Sequence, residues 1–185
     1  MIIGLFFVVL MVGSIAGVIF YGSPPDASQQ KEFNGYTFSF DASQNVWKTK
    51  IDGNEVFFVF TPDDVTGIVF PEDFSTWSAL EKVYISSIPE ERISLATQEF
   101  SRLQSFYNTP KFTPACPVDS DSCKLNNFPI KDCNNADLTT GVIVLKESTT
   151  VIVTSKNNCV TIEGSVRDAV MVAEKIAFKR LGVLA

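Results

Sequence analysis

The sequence predicts an α+β protein: an N-terminal transmembrane helix, then one disulfide-containing domain in which an antiparallel sheet of two meanders carries two helices on one face. Three observations support this class. Residues 2–21 are apolar and uncharged, two groups of strand-like segments are each followed by a helical segment, and all four cysteines lie after the apolar run. The chain is thereby divided into an anchor at residues 1–21, a linker at residues 22–32 and an extracytoplasmic domain at residues 33–185.

The predicted anchor is the apolar segment at residues 2–21. At about 1.5 Å per residue, a helix of this length crosses the hydrocarbon core of a bilayer, so the lipid bilayer is the first expected partner. A cleaved signal peptide is the alternative, because Ser14-Ile15-Ala16 offers small residues for cleavage. The apolar run continues past this site and no basic residue precedes it, so we favour an uncleaved single-pass anchor.

Gly13 and Gly17 form a G-x-x-x-G pattern within the predicted anchor. This pattern lets two membrane helices approach closely and would pair two anchors. Glycine is also common in membrane helices that have no pairing role. Formation of a homo-oligomer through the anchor is therefore left open.

The first half of the domain has the pattern of a β-meander. Aromatic and hydroxyl residues alternate over residues 36–40, and a second strand is predicted at residues 46–51. Asp52-Gly53-Asn54 then predicts a tight turn. The apolar run at residues 56–60 after this turn is typical of a central strand that is covered on both faces.

A strand and the first helix follow. Residues 83–86 read as a strand, and Pro89-Glu90-Glu91 is typical of a helix start, so we predict a helix over residues 90–107. Apolar residues recur there at three- and four-residue spacing and form one stripe. The stripe consists of Ile93, Ala96, Phe100, Leu103 and Tyr107.

The second half repeats this order. Runs rich in β-branched residues at 142–145, 151–154 and 159–162 predict a second meander, with Asn157-Asn158 as the tight turn before its last strand. Ser165 and Asp168 match a capping box, so we predict a second helix over residues 165–181. Its expected buried stripe consists of Val166, Val170, Ala173, Ala177 and Leu181.

The cysteines Cys116, Cys123, Cys133 and Cys159 are expected to form two disulfides. Their spacing lacks the paired C-x₂₋₄-C pattern of structural zinc sites, and a membrane-anchored domain fits an oxidising compartment. Three pairings are open. We favour Cys116 with Cys123 and Cys133 with Cys159, of which the second closes the larger loop and stabilises by up to about 3 kcal/mol in the loop-entropy model.

The composition argues against several classes of function. The chain has no histidine, which removes the usual catalytic pairs and the commonest metal ligand. A net charge of −6 argues against nucleic-acid partners. The Asp119-Ser120-Asp121-Ser122 run resembles the start of a calcium loop, but Lys124 and Ile130 stand where an EF-hand needs glycine and glutamate. We therefore expect no enzyme activity, cofactor or metal.

Several motifs together resemble a group of uncharacterised single-pass membrane proteins from small-genome archaea. They follow an N-terminal anchor and are Asn34-Gly35-Tyr36-x-Phe38, Trp47-x-x-x-Ile51-Asp52-Gly53-Asn54, Val83-Tyr84-Ile85-Ser86, Ala115-Cys116, Asn158-Cys159-Val160-x-Ile162 and Leu181-Gly182-Val183. The resemblance spans most of the chain. It implies an archaeal envelope location and transfers no activity and no site residues.

The predicted function is a non-enzymatic, membrane-anchored interaction or assembly domain of the cell envelope, with a protein partner bound through the loops at residues 62–82 and 108–141. An exposed apolar patch on those loops would support it. A pilin-like filament subunit is the first alternative, although the chain lacks a basic leader ahead of its apolar segment. An extracytoplasmic hydrolase is the second, and it would need two carboxylates that converge in a pocket.

Overall fold

The computed structural model describes residues 29–69, 80–107 and 111–184. The predicted anchor, with Gly13 and Gly17, lies outside these ranges. Within them the protein has the predicted α+β class, with nine strands arranged in two sheets and the two longer helices between the sheets. No helix in the described ranges is long and apolar enough to span a membrane.

The first sheet is the predicted antiparallel meander, and its strands follow one another in sequence order. Its strands are β1 (Gln30–Phe33), β2 (Tyr36–Asp41), β3 (Val46–Ile51) and β4 (Asn54–Phe58). Two-residue turns join β1 to β2 and β3 to β4, each with an Asn or Asp and then a Gly at positive φ. The turn residues are Asn34-Gly35 and Asp52-Gly53.

Two details of this sheet differ from the sequence-based prediction. Residues 30–32, which we assigned to the linker, belong to β1, because they pair with β2 across the Asn34-Gly35 turn. The apolar run at residues 56–60 does not form a central strand. β4 is an edge strand that ends at Phe58, and the next two backbone N–H groups bind a side chain from a helix instead of another strand.

The second sheet is mixed and not a second meander. It has the order β6-β5-β7-β9-β8, in which β5, β6, β7 and β9 run parallel and only β8 is antiparallel. Its strands are β5 (Lys82–Ser86), β6 (Phe112–Ala115), β7 (Thr140–Glu147), β8 (Ile152–Lys156) and β9 (Cys159–Gly164). The predicted hairpin between β8 and β9 is present, but β9 inserts between β8 and β7.

The parallel pairing explains how the sheet is covered. Helix α1 (Ala96–Tyr107) connects β5 to β6, and residues 116–139 connect β6 back across β5 to β7. Right-handed crossovers that travel in opposite directions lie on opposite faces of a sheet. Helix α1 therefore covers the inner face of the sheet, which is turned toward the first sheet. The irregular segment covers the outer face, which is turned away from it. Both faces of β7 are buried accordingly, with Ile143 and Leu145 inside and Val142 and Val144 outside.

Helix α3 (Val166–Arg180) forms the centre of the molecule. It begins with the predicted capping box, in which Ser165 and Asp168 each bind the backbone N–H of the other. Residues 172–178 are buried without interruption, so burial is not limited to one stripe of the helix. The reason is that α3 lies between the two sheets. Phe178 shows this directly, since its ring contacts Phe38 and Phe58 of the first sheet at centroid distances of 5.9 and 4.5 Å.

The predicted single sheet with both helices on one face is therefore wrong in its layering. α1 and α3 pack against each other on the inner face of the second sheet, and the first sheet closes over them from the other side. A short helix α2 (Asp121–Leu125) and three 3₁₀ turns complete the described elements. These turns are Asp63–Val65, Arg92–Leu95 and Cys133–Asn135.

Candidate functional site

The candidate site is the irregular crossover at residues 116–139, here called the disulfide segment. It starts where β6 ends: the Cys116 N–H donates to Pro129 O at 2.9 Å and the Lys131 N–H donates to Cys116 O at 2.7 Å. Cys116 and Ile130 thus form a single parallel β-bridge. This bridge fixes the segment at the carboxyl end of β6.

Two disulfides constrain the segment, and their pairing is the one favoured from the sequence. Cys116 bonds to Cys123 in helix α2, with a Cα separation of 6.1 Å. Cys133 bonds to Cys159 at the start of β9, with a Cα separation of 5.3 Å. The first bond closes a loop within the segment beside the carboxyl edge of the sheet, and the second attaches the segment to the amino edge.

Polar contacts fix the middle of the segment to the outer face. The Ser86 hydroxyl at the end of β5 donates to Lys131 O at 2.5 Å. The Lys131 ammonium lies 5.3 Å from the ring centroid of Tyr84, close enough for a cation–π contact. The segment thus has a fixed position although it contains little regular secondary structure.

The acidic run in this segment does not form a calcium loop. Ser120 is the N-cap of α2, and its hydroxyl accepts the N–H of Cys123 at 3.3 Å. The Asp119 carboxylate pairs with the Lys124 ammonium at 3.2 Å. The run therefore starts a helix and forms a surface ion pair.

The side chains that point outward from the segment include large apolar ones. Leu125 and Leu138 are 85% and 91% exposed, and Val118 and Ile130 are about half exposed. In the other predicted loop, residues 62–82, Val69 is also exposed, whereas Val65, Ile68 and Leu80 are buried in the core. The disulfide segment is thus the part of the described chain where exposed apolar side chains occur on a covalently fixed scaffold.

A second feature, missed in the sequence, is the buried carboxyl group of Glu174. It lies on α3 with no exposure and accepts the N–H groups of Val59 and Phe60 at 2.6 and 2.9 Å. Burial, with the neighbouring Glu99 carboxylate, raises the pKa of Glu174 well above its ordinary value, against the effect of the two N–H donors. The Arg102 guanidinium lies 3.9 Å from the Glu174 carboxyl group and also donates a hydrogen bond to the Glu99 carboxylate.

Glu174, whose pKa is raised, and Glu99 are thus two converging carboxyl groups, as the hydrolase alternative requires. Their surroundings do not fit that role, because a side chain with no exposure cannot contact a substrate. The position instead joins α3 to the end of β4. The sequence signal was its place on the helix, one turn from both Val170 and Ala177 of the predicted apolar stripe.

Lys175 makes a similar attachment beside it. Its ammonium group donates to the carbonyls of Thr66 and Ile68, at 3.2 and 2.5 Å. Burial lowers the pKa of Lys175, with a smaller contribution from Lys179. Adjacent charged residues on α3 therefore hold the chain on both sides of the Asp63–Val65 turn, which identifies them as structural groups.

Comparison with other proteins adds no further constraint: no family model, curated protein or solved structure matches this chain.

Proposed function

We propose that this protein is a membrane-anchored extracytoplasmic domain of the cell envelope that binds a protein partner through the disulfide segment. The carrying observation is the exposure of Leu125 and Leu138 on a segment that two disulfides hold in place. Apolar side chains on a rigid segment lose little conformational entropy on binding, which favours affinity. Interaction surfaces of monomeric proteins commonly contain such exposed apolar groups.

The proposed location is supported by the cysteines. All four are paired, and disulfides persist in oxidising compartments. The proposed anchor is the apolar segment at residues 2–21, which is long enough to cross a bilayer. The net charge of −6 supports a protein partner over a nucleic acid.

The location is tested by mass spectrometry of native protein extracted from membranes, with thiol alkylation before and after reduction. We expect no alkylated cysteine before reduction, four after it, and an intact chain that retains residues 2–21. Four thiols that react without reduction would contradict the extracytoplasmic location. A mature chain that begins after residue 21 would contradict the anchor and leave a secreted domain.

The binding surface is tested by photocrosslinking in native membranes, with a photoreactive amino acid at Leu125 or Ile130. We expect both positions to give an adduct of the same mass, and Leu138→Glu to weaken it. Thr37, which is exposed on the first sheet, is the control position and should give no such adduct. An adduct of twice the chain mass would identify the partner as a second copy. Equal adducts from all three positions would contradict the proposed surface.

A further inference from the structure

A cleft of about 520 Å³ opens at the N-terminal end of α3. It lies between the end of β4 and the first turns of α3. Its lining includes four apolar or aromatic side chains and two arginines, namely Val59, Phe60, Val166, Val170, Arg92 and Arg167. Its volume is within the range of small-molecule sites, and its mainly apolar lining with a few polar groups is typical of them.

The cleft occupies the position where open sheets with parallel strands bind ligands. From β5 the chain moves to β6 on one side, and from β7 it moves past the position of β9 to β8 on the other side. The two directions diverge between β5 and β7, and a crevice forms outside the carboxyl ends of the strands at such a switch point. Arg92 follows β5 and Glu147 ends β7, and both line the cleft.

The two arginines give the cleft a positive character within an acidic protein. Neither guanidinium forms an ion pair with any carboxylate in the described ranges. Glu147 is the one acidic side chain of the lining, and its carboxylate accepts the backbone N–H of Arg92 at 3.3 Å. The Arg167 guanidinium lies 5.1 Å from the ring centroid of Phe60, so its position beside the apolar wall is fixed by a cation–π contact.

The N–H groups of Ser165 and Asp168 at the start of α3 are already bound within the capping box. The side chains of Arg92 and Arg167 are the cationic groups that the cleft offers to an anion. The guanidinium group suits this role because its planar set of donors matches a carboxylate or phosphate.

We propose that this cleft binds a small organic acid that carries one anionic group on an apolar or aromatic body. The anionic group is bound by the arginines, and the body packs against Phe60, Val166 and Val170. The residues that line this cleft lie outside the disulfide segment. Failure of one proposal would therefore leave the other unaffected.

The test uses the full chain in detergent micelles and 4-fluorobenzoate as the probe, observed by ¹⁹F NMR. The neutral 4-fluorobenzamide has the same ring and measures the contribution of the charge. We expect saturable binding of the benzoate and at least tenfold weaker binding of the amide, as expected for a hydrogen bond to a charged group. Equal affinity for the two probes, or no saturable binding of either, would overturn the proposal.

Variants locate the site. Arg167→Gln should weaken benzoate binding roughly tenfold, and Arg167→Lys should restore part of the loss because it keeps the charge. Lys156→Gln is the matched control, since it changes the net charge equally on the exposed strand β8 and should leave the affinity unchanged. A loss in the control equal to that in Arg167→Gln would show non-specific attraction and contradict the site.

A further arm distinguishes a free acid from a lipid head group. Vesicles that contain phosphatidylglycerol are added to the benzoate complex, and vesicles of phosphatidylcholine serve as the control. For a free organic acid we expect neither to displace the probe. Displacement by the anionic vesicles alone would overturn the assignment to a free acid.

Discussion

The antiparallel sheet β1–β4 leaves its outer face to water, whereas the mixed sheet buries both faces of its strands β5 and β7. On the outer face of the first sheet, Lys48 and Asp41 form an ion pair at 2.6 Å and the Lys48 ammonium lies 5.2 Å from the ring centroid of Phe57. On the outer face of the second sheet, Val142 and Val144 are buried below the disulfide segment. The difference follows from connectivity, because parallel strands need crossovers that cover the faces of their sheet.

The two crossovers of the second sheet are not equally self-supporting. Helix α1 satisfies its own backbone hydrogen bonds and presents an apolar stripe to the core. The disulfide segment has one five-residue helix, one 3₁₀ turn and a single bridge, so little of its path is regular secondary structure. Both disulfides occur in this segment, where a covalent constraint replaces regular secondary structure. The comparison predicts which changes each sheet tolerates.

The largest expected effect is on the first sheet, where substitutions at two neighbouring residues of β4 compare its buried face with its outer face. Phe58 is fully buried against Phe38 and Phe178, so Phe58→Ala should lower the free energy of unfolding by about 3–5 kcal/mol. Phe57 faces outward and is the matched control, for which we expect about 1 kcal/mol or less. Urea unfolding of the full chain in detergent measures both. Similar losses for the two variants would show that the outer face is also covered.

The next largest effect concerns the disulfides of the second sheet. They span sequence separations of 26 and 7 residues, and in the loop-entropy model the longer loop stabilises by about 1 kcal/mol more than the shorter one. The Cys133→Ala/Cys159→Ala variant should therefore lower the melting temperature more than Cys116→Ala/Cys123→Ala. The reverse order would show that the contacts of α2, and not loop closure, determine the stability of the segment.

The same contrast explains what could be predicted from the sequence. The first sheet was predictable because its signals are local: alternating residues, and Asn-Gly or Asp-Gly at the turns. The short turn Asn157-Asn158 likewise predicted the β8–β9 hairpin. The pairing of β7 with β9 was not predictable in this way, since it joins segments that are not adjacent in sequence. The sign available in the sequence was the uninterrupted apolar run at residues 142–145, which is typical of a parallel strand buried on both faces.

The candidate sites differ in the same respect. The disulfide pairing followed from loop lengths, which are visible in the sequence. Glu174 and the cleft with Arg92 and Arg167 depend on tertiary contacts between β4, β7 and α3. A charged residue on an apolar helical stripe marks an anomaly in the sequence, but the backbone groups that bind it lie more than 100 residues away.

Glu174 gives a prediction on the junction between the first sheet and α3. Because burial raises its pKa, the folded state holds a proton that the unfolded state releases above the ordinary value of 4.5. The free energy of unfolding should therefore fall as the pH rises from about 5 toward the raised pKa. Glu174→Gln cannot lose this proton, so the decrease should disappear in urea titrations between about pH 5 and pH 8.

The control for this titration is Glu55→Gln, an exposed position on β4 that should keep the wild-type slope. Hydrogen bonds lower the pKa values of Asp41 and Asp137, so their contribution is lost only as the pH falls below their ordinary value of 3.8. They do not contribute in the measured range. Equal slopes in wild type and Glu174→Gln would contradict the assignment of the proton to Glu174.

The smallest predicted effect is a gain in stability on the inner face of the first sheet. Thr49 is 3% exposed beside Trp47 and Ile51, and its hydroxyl has no hydrogen-bond partner in the described part of the chain. Valine has nearly the same shape without the hydroxyl, so Thr49→Val should raise the free energy of unfolding by about 1 kcal/mol. Thr37→Val on the exposed face is the control and should change it by less than about 0.5 kcal/mol. A loss of stability in Thr49→Val alone would mean that the hydroxyl binds a buried water, and that the inner face of this sheet is not fully dry.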